Sequence, residues 1–146
     1  TWPAWALLAT IGAWVAVIDA ITTWIPAVLA WTGWAGWIGA VVVTALSDHT
    51  AAIRAVIATA IIFAAWMIAW LISRGGFGFS DVRITPLWAA PAAATGIDTI
   101  QVTVIAGLTL IALYALIDRF RHHTTRFLPW APSLCSGALI GLAIAH

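Results

Sequence analysis

Residues 51–72 read AAIRAVIATAIIFAAWMIAWLI, a run in which Arg54 is the only charged side chain. A helix of about 20 apolar residues, each rising 1.5 Å, is long enough to cross the hydrocarbon core of a bilayer. This run therefore predicts a transmembrane helix. The whole chain has the same character, because 64% of its 146 residues are hydrophobic and 8% are charged, whereas soluble domains carry about 25% charged residues.

Other apolar runs predict further spans, at residues 2–21, 25–46, 99–117 and 128–145. Residues 82–95 are more difficult to assign, because the segment is short and contains Pro86 and Pro91. A helix of this length rises only about 21 Å, against a hydrocarbon core of about 30 Å. The segment is therefore either a short span in a thinned or protein-lined region, or a re-entrant segment that enters and leaves on one side.

The arginines favour a crossing at residues 82–95. If the segment crosses, Arg54 lies alone on one side, and the other five lie opposite it: Arg74, Arg83, Arg119, Arg121 and Arg126. Because basic residues concentrate in cytoplasmic loops, the five-to-one arrangement is preferred. The sequence thus predicts an all-α membrane protein of about six transmembrane helices, in which helix 4 is short and contains proline. It forms one domain over residues 1–146, with both ends outside and the Arg-rich loops in the cytoplasm.

Composition also excludes several classes of site. The net charge is +1 and no basic stripe is present, so we expect no nucleic-acid partner. A single cysteine, Cys135, excludes a disulfide framework or a thiolate zinc site within one chain. His122 and His123 are adjacent but have no neighbouring carboxylate or cysteine in the sequence, which makes a poor metal site. We expect neither a metal nor an organic cofactor, and the lipid bilayer is the expected surrounding of the chain.

Two aspartates fall where predicted helices meet the cytoplasmic side, Asp19 at the end of helix 1 and Asp81 at the start of helix 4. Placing an acidic side chain within a membrane segment costs free energy, so such a residue is expected to have a function. Two carboxyl groups that share one proton can hydrolyse a peptide bond, because the ionised member activates water and the protonated member donates to the carbonyl oxygen. The structural alternatives are a helix N-cap for Asp81, and for Asp19 a carboxylate at a helix end that snorkels to the interface or pairs with Arg74 or Arg83.

Three motifs carry a family resemblance. The pattern Asp-x-x-Thr-x-x-Ile-Pro-Asn is matched at Asp19, Thr22, Ile25 and Pro26, and the pattern Gly-Gly-x-Gly-x-Gly-Asp-Val-Lys at Gly75, Gly76, Gly78, Asp81 and Val82, with Arg83 in place of Lys. The segment at residues 127–137 is similar to a third pattern, Pro-Phe-x-Pro-x-Leu-x-x-Gly. With these motifs in this order, the chain resembles the type IV prepilin peptidases, which are GxGD-type intramembrane aspartyl proteases.

The resemblance implies an aspartyl endopeptidase of the bacterial plasma membrane whose catalytic residues are Asp19 and Asp81. Its substrates would be pilin-like precursors, cleaved after a glycine and before a hydrophobic helix, at the cytoplasmic face. The residues that shape the site would be Gly75, Gly76, Gly78, Ser80, Thr22 and Pro26. Larger members of the family carry an added cytoplasmic domain with two cysteine pairs. This sequence has a single cysteine, and it is similar to the short, protease-only members that serve tight-adherence pili.

The chain departs from the family pattern at Ser80, which replaces the second glycine of GxGD, and at Ala27, which replaces asparagine. If position 80 requires a positive φ, a serine there costs about 1 kcal/mol or more. A catalytically inactive relative that binds pilin precursors or assembly proteins is therefore one alternative. A small transporter or channel subunit with paired aspartates as a relay is another, although the apolar midplanes of the predicted helices argue against it.

Two small-xxx-small patterns predict close helix contacts, at Gly137–Gly141 and at Ala35–Gly39. Small residues let helix backbones approach closely in lipid. We expect both patterns to serve packing inside the chain rather than a dimer face.

Overall fold

The computed structural model describes residues 2–22, 24–73, 78–122 and 130–145, and 95% of these described residues are helical. The first segment is α1 (Trp2–Leu7), a π-helical stretch (Leu8–Gly12) and α2 (Ala13–Thr22). It is followed by α3 (Ala27–Ser47), α4 (His49–Ser73), α5 (Phe79–Arg83), α6 (Thr85–Thr95), α7 (Ile97–His122) and α8 (Trp130–Ala145). The predicted all-α class is confirmed.

Four helical segments are long and apolar enough to cross a membrane: Pro3–Thr22, Ala27–Ser47, His49–Ser73 and Ile97–Ile117. The helix α8 is apolar but has only 16 residues, and α6 has 11. The structure therefore supports a multi-pass membrane protein and leaves the number of crossings between four and the predicted six. Pro26 immediately precedes α3 as its N-cap residue.

The short helix α6 is the centre of the fold. Ten consecutive residues, from Thr85 to Ala94, are buried, and the helix packs against α1, α3, α4, α7 and α8. A short helix with an internal proline is tolerated at membrane depth when other helices surround it, and the burial of α6 meets this condition.

Contacts at the two ends of α5 and α6 show which way this segment runs. At one end, Arg54 Nη2 donates to the Ala94 carbonyl oxygen at 3.1 Å and Trp5 Nε1 donates to Thr95 Oγ1 at 2.9 Å. At the other end, Asp81 interacts electrostatically with Asp19. The segment therefore runs antiparallel to α1 and α2, from the end of the bundle that holds Asp19 to the end that holds Trp5.

Glycines allow α7 and α8 to pack with their backbones in contact. A Cβ atom at Gly137 would lie 2.5 Å from the Thr103 carbonyl oxygen and 2.7 Å from the Gly107 nitrogen, and one at Gly141 would lie 2.7 Å from the Thr99 carbonyl oxygen. The predicted internal packing at Gly137–Gly141 is confirmed. Gly39 in the second pattern is different, because a Cβ atom there would meet no atom of the described residues within 4 Å.

Candidate active site

Asp19 lies near the end of α2 and is only 3% exposed. Its Oδ2 atom accepts a hydrogen bond of 3.0 Å from the backbone N–H of Ala131, the second residue of α8. The first N–H groups of a helix have no partner within that helix, so Asp19 satisfies a donor that is far away in sequence. The expected alternative of an ion pair with Arg83 is not found among the described residues, and Arg74 lies outside them.

Asp81 is the third residue of α5 and is 5% exposed. It is not the N-cap of this helix, since Gly78 occupies that position. Burial, and to a smaller extent the nearby charge of Asp19, together raise the pKa of Asp81 to about 8. Asp81 therefore lies close enough to Asp19 to respond to its charge, and at neutral pH Asp81 keeps its proton.

Because Gly78 has no side chain, the Asp81 carboxyl group can lie close to its backbone. A Cβ atom at Gly78 would lie 2.8 Å from Asp81 Oδ2 and 3.2 Å from Ser80 Oγ. The Gly78 carbonyl oxygen also accepts a hydrogen bond of 3.1 Å from the Asp81 N–H. Gly78 has φ −71° and ψ 132°, so its role here is the absence of a side chain, not a conformation reserved for glycine.

Ser80 lies inside α5, where the backbone is right-handed helical. The condition under which serine would be strained at this position, a positive φ, is therefore not met. Gly75 and Gly76 lie outside the described residues.

Thr22 and Pro26 flank the turn that follows Asp19. The Thr22 hydroxyl lies 2.7 Å from the Ile18 carbonyl oxygen, which suits donation to it, and accepts a hydrogen bond of 3.3 Å from the Trp24 N–H. The Pro26 carbonyl oxygen accepts the Leu29 N–H at 3.0 Å. Both residues thus shape the connection between α2 and α3, which is a supporting role.

Sequence reasoning missed two contacts that hold the site in place. One is the Ala131 N–H on Asp19, for which a single sequence gives no signal. The other is Trp34 of α3, whose Nε1 donates to the Arg83 carbonyl oxygen at 3.0 Å and so fixes the end of α5. Trp34 also packs edge-on against Trp37 and Phe63.

Two buried carboxyl groups that share a proton provide a base for water and an acid for a carbonyl oxygen. Among the residues described, no three histidine, cysteine or acidic side chains gather in a way that could hold a metal ion.

A scan against protein-family models, a search of curated proteins and a search of solved structures each find no match to this chain. The assignment of a function therefore depends on the motifs and contacts described above.

Proposed function

We propose that this chain is a prepilin peptidase-like aspartyl endopeptidase that removes the leader of pilin-like precursors at the cytoplasmic face of a bacterial plasma membrane. One observation carries the proposal. Asp19 and Asp81, which come from separate segments, are both buried at the same end of the bundle, and the charge of Asp19 acts on Asp81. Each stands in a motif of that family.

The pair would act through one water molecule. The ionised carboxylate takes a proton from water, and the resulting hydroxide adds to the carbonyl carbon of the scissile peptide bond, while the protonated carboxyl group gives its proton to the carbonyl oxygen. The tetrahedral intermediate then collapses as the carbon–nitrogen bond breaks. The leaving amine takes up the proton that came from water, and the carboxyl pair regains a single proton, so that no cofactor is consumed.

We further propose six crossings, with the acid pair towards the cytoplasm. The run of α5 and α6 from the Asp19 end to the Trp5 end supports this topology. So does the hydrogen bond from Ala131, because it brings the start of α8 to the Asp19 end. At the inner boundary, the pair would meet only peptide bonds presented there, such as the junction between a leader and an inserted hydrophobic helix.

The alternative of an inactive relative that binds precursors is favoured by one contact. The Ala131 N–H gives Asp19 a structural task, the capping of α8, that does not require catalysis. Asparagine can accept the same hydrogen bond but cannot act as an acid or base, so Asp19→Asn separates the two roles.

The test is coexpression of the chain with candidate precursors that carry a short leader before a hydrophobic helix. We expect leader removal by the native chain and none by Asp19→Ala, Asp19→Asn or Asp81→Ala, with each variant present in the membrane at native levels. Processing by Asp19→Asn would assign Asp19 a structural role and refute the acid pair. Native chain that inserts, binds a precursor and leaves its leader intact would favour the inactive relative.

A further inference from the structure

The hydrogen bond between Asp19 and Ala131 distinguishes the two acids from each other. A backbone N–H can only donate, so Asp19 Oδ2, which lies 3.0 Å from it, acts as an acceptor. The donor also belongs to the first turn of α8, where the positive end of the helix dipole favours a negative charge. Hydrogen bonds from N–H groups to a carboxylate stabilise its ionised form.

The donor is held firmly in place. Ala131 is completely buried, and α8 is fitted against α7 through Gly137 and Gly141, where even one added carbon would meet backbone atoms. The N–H therefore cannot easily turn away from Asp19 when the site fills.

Asp81 has a different environment. Among the described residues, no N–H or O–H group donates to its carboxyl oxygens, and its neighbours Val82 and Ile84 are fully buried and apolar. The Arg83 guanidinium group lies over the Phe79 ring, 4.6 Å from its centre. Burial without a hydrogen-bond donor stabilises the neutral, protonated form of a carboxyl group.

The remaining ionisable groups near the pair are few. The helices α3 and α6, which pack against α5, contain no titratable side chain, and in α4 the titratable residues, His49 and Arg54, lie at the Trp5 end. Asp19 is the only titratable residue of α2, and α8, which packs against α2, contributes Cys135 alone. Among the described groups, Asp19 is the one whose charge, beside burial, raises the pKa of Asp81.

From these contacts we infer that the amino end of α8 divides the roles within the pair, so that Asp19 is the proton acceptor and Asp81 the proton donor. This inference rests on the proposed function only in that the terms proton acceptor and proton donor refer to the cleavage of a peptide bond. The location of the proton can be measured whether or not the chain cleaves a peptide.

Infrared spectroscopy locates the proton directly, because a protonated carboxylic acid has a C=O stretch that a carboxylate lacks. The chain suits the method, since it contains five aspartates and no glutamate. At about pH 6 ordinary aspartates are ionised. We expect the purified native chain to show one protonated-carboxyl band that disappears in Asp81→Asn and persists in Asp19→Asn. A band that is absent from the native chain, or that disappears in Asp19→Asn and persists in Asp81→Asn, would overturn the inference.

A second variant tests the part played by α8. Ala131→Pro removes the donating N–H in a first turn that already holds Pro132, a place where proline is tolerated. Ala131→Gly keeps the N–H and measures the effect of the side-chain change alone. In an Asp81→Asn background, Ala131→Pro should bring back a protonated-carboxyl band, now from Asp19, at a pH where Ala131→Gly shows none. Equal spectra for the two variants would show that α8 does not set the position of the proton.

If cleavage fails but the band behaves as expected, the proposed function is wrong and the division of roles stands. If cleavage depends on both aspartates but the band belongs to Asp19, the function stands and the roles are reversed. The two experiments therefore fail independently.

Discussion

At the scale of single residues, Gly78 is the position where the structure makes the sharpest prediction about the site. Gly78→Ala places a Cβ atom 2.8 Å from Asp81 Oδ2, so the carboxyl group must turn away from its position. Because the atom displaced is the end of a side chain, the stability cost is small, and we expect leader processing to fall about tenfold or more, as for other misplaced catalytic groups.

The matched control is Gly96→Ala, at another helix boundary, where a Cβ atom would lie 3.7 Å from Thr99 Oγ1 in ordinary contact. Gly96→Ala should process precursors as the native chain does. Equal processing by both variants would show that the position of the Asp81 carboxyl group does not matter.

The raised pKa of Asp81 predicts that the free energy of unfolding and the processing of precursors both depend on pH. The pKa of Asp81 in the folded chain is about 8, raised mainly by burial, against 3.8 for an exposed aspartate. Because the folded state holds the proton more tightly than the unfolded state, the free energy of unfolding should decrease as pH rises from about 4 to about 8 and then level off. Processing should decline as the pH passes about 8, when Asp81 loses its proton.

The check is thermal unfolding in detergent over this pH range, with Asp81→Asn beside the native chain. The native melting temperature should fall with rising pH, and that of Asp81→Asn should fall less, because asparagine has no proton to lose. Parallel curves for the two chains would contradict a raised pKa.

At the scale of helices, the packing of α8 against α7 positions the start of α8 beside Asp19. Gly137→Ala would force a Cβ atom against the Thr103 carbonyl oxygen, and overpacking of this kind costs about 1–3 kcal/mol. We expect a lower melting temperature in detergent and weaker processing, since the start of α8 must shift with the helix.

Gly39→Ala is the control, because it belongs to the other small-xxx-small pattern and adds a methyl group into open space. Alanine also favours a helix over glycine by about 1 kcal/mol, so this variant should be at least as stable as the native chain. A Gly137→Ala chain as stable as Gly39→Ala would contradict the close packing of α7 on α8.

At the scale of the whole molecule, six crossings make a prediction about which loops share a side. In an otherwise cysteine-free chain made with Cys135→Ala, single cysteines at the exposed positions His49 and Asp98 should both react with an impermeant reagent from outside the cell. The contacts of Arg54 and Trp5 with the end of α6 place both positions at one end of the bundle. Labelling of His49→Cys and Asp98→Cys from opposite sides would mean that α5 and α6 do not cross.

The helical class and the long apolar segments could be predicted from the sequence. A helix that crosses lipid needs an apolar run such as residues 51–72, whichever helices it packs against. The sequence was not sufficient for the contacts that build the site. The partner of Asp19 is a backbone N–H, which has no side-chain identity to read, and the conformation of Ser80 follows from α5, not from the glycine that the family motif has there. The π-helical stretch at Leu8–Gly12 likewise has no signature that periodicity could detect.

The central claim is that Asp19 and Asp81 act together on a peptide bond, and purified protein in lipid vesicles tests it most directly. The native chain, Asp19→Asn and Asp81→Asn are each mixed with a purified pilin-like precursor, and release of the leader is followed by mass spectrometry. We predict one cut before the hydrophobic helix by the native chain and none by either variant, with all three folded. Cleavage that persists in either variant would contradict the claim.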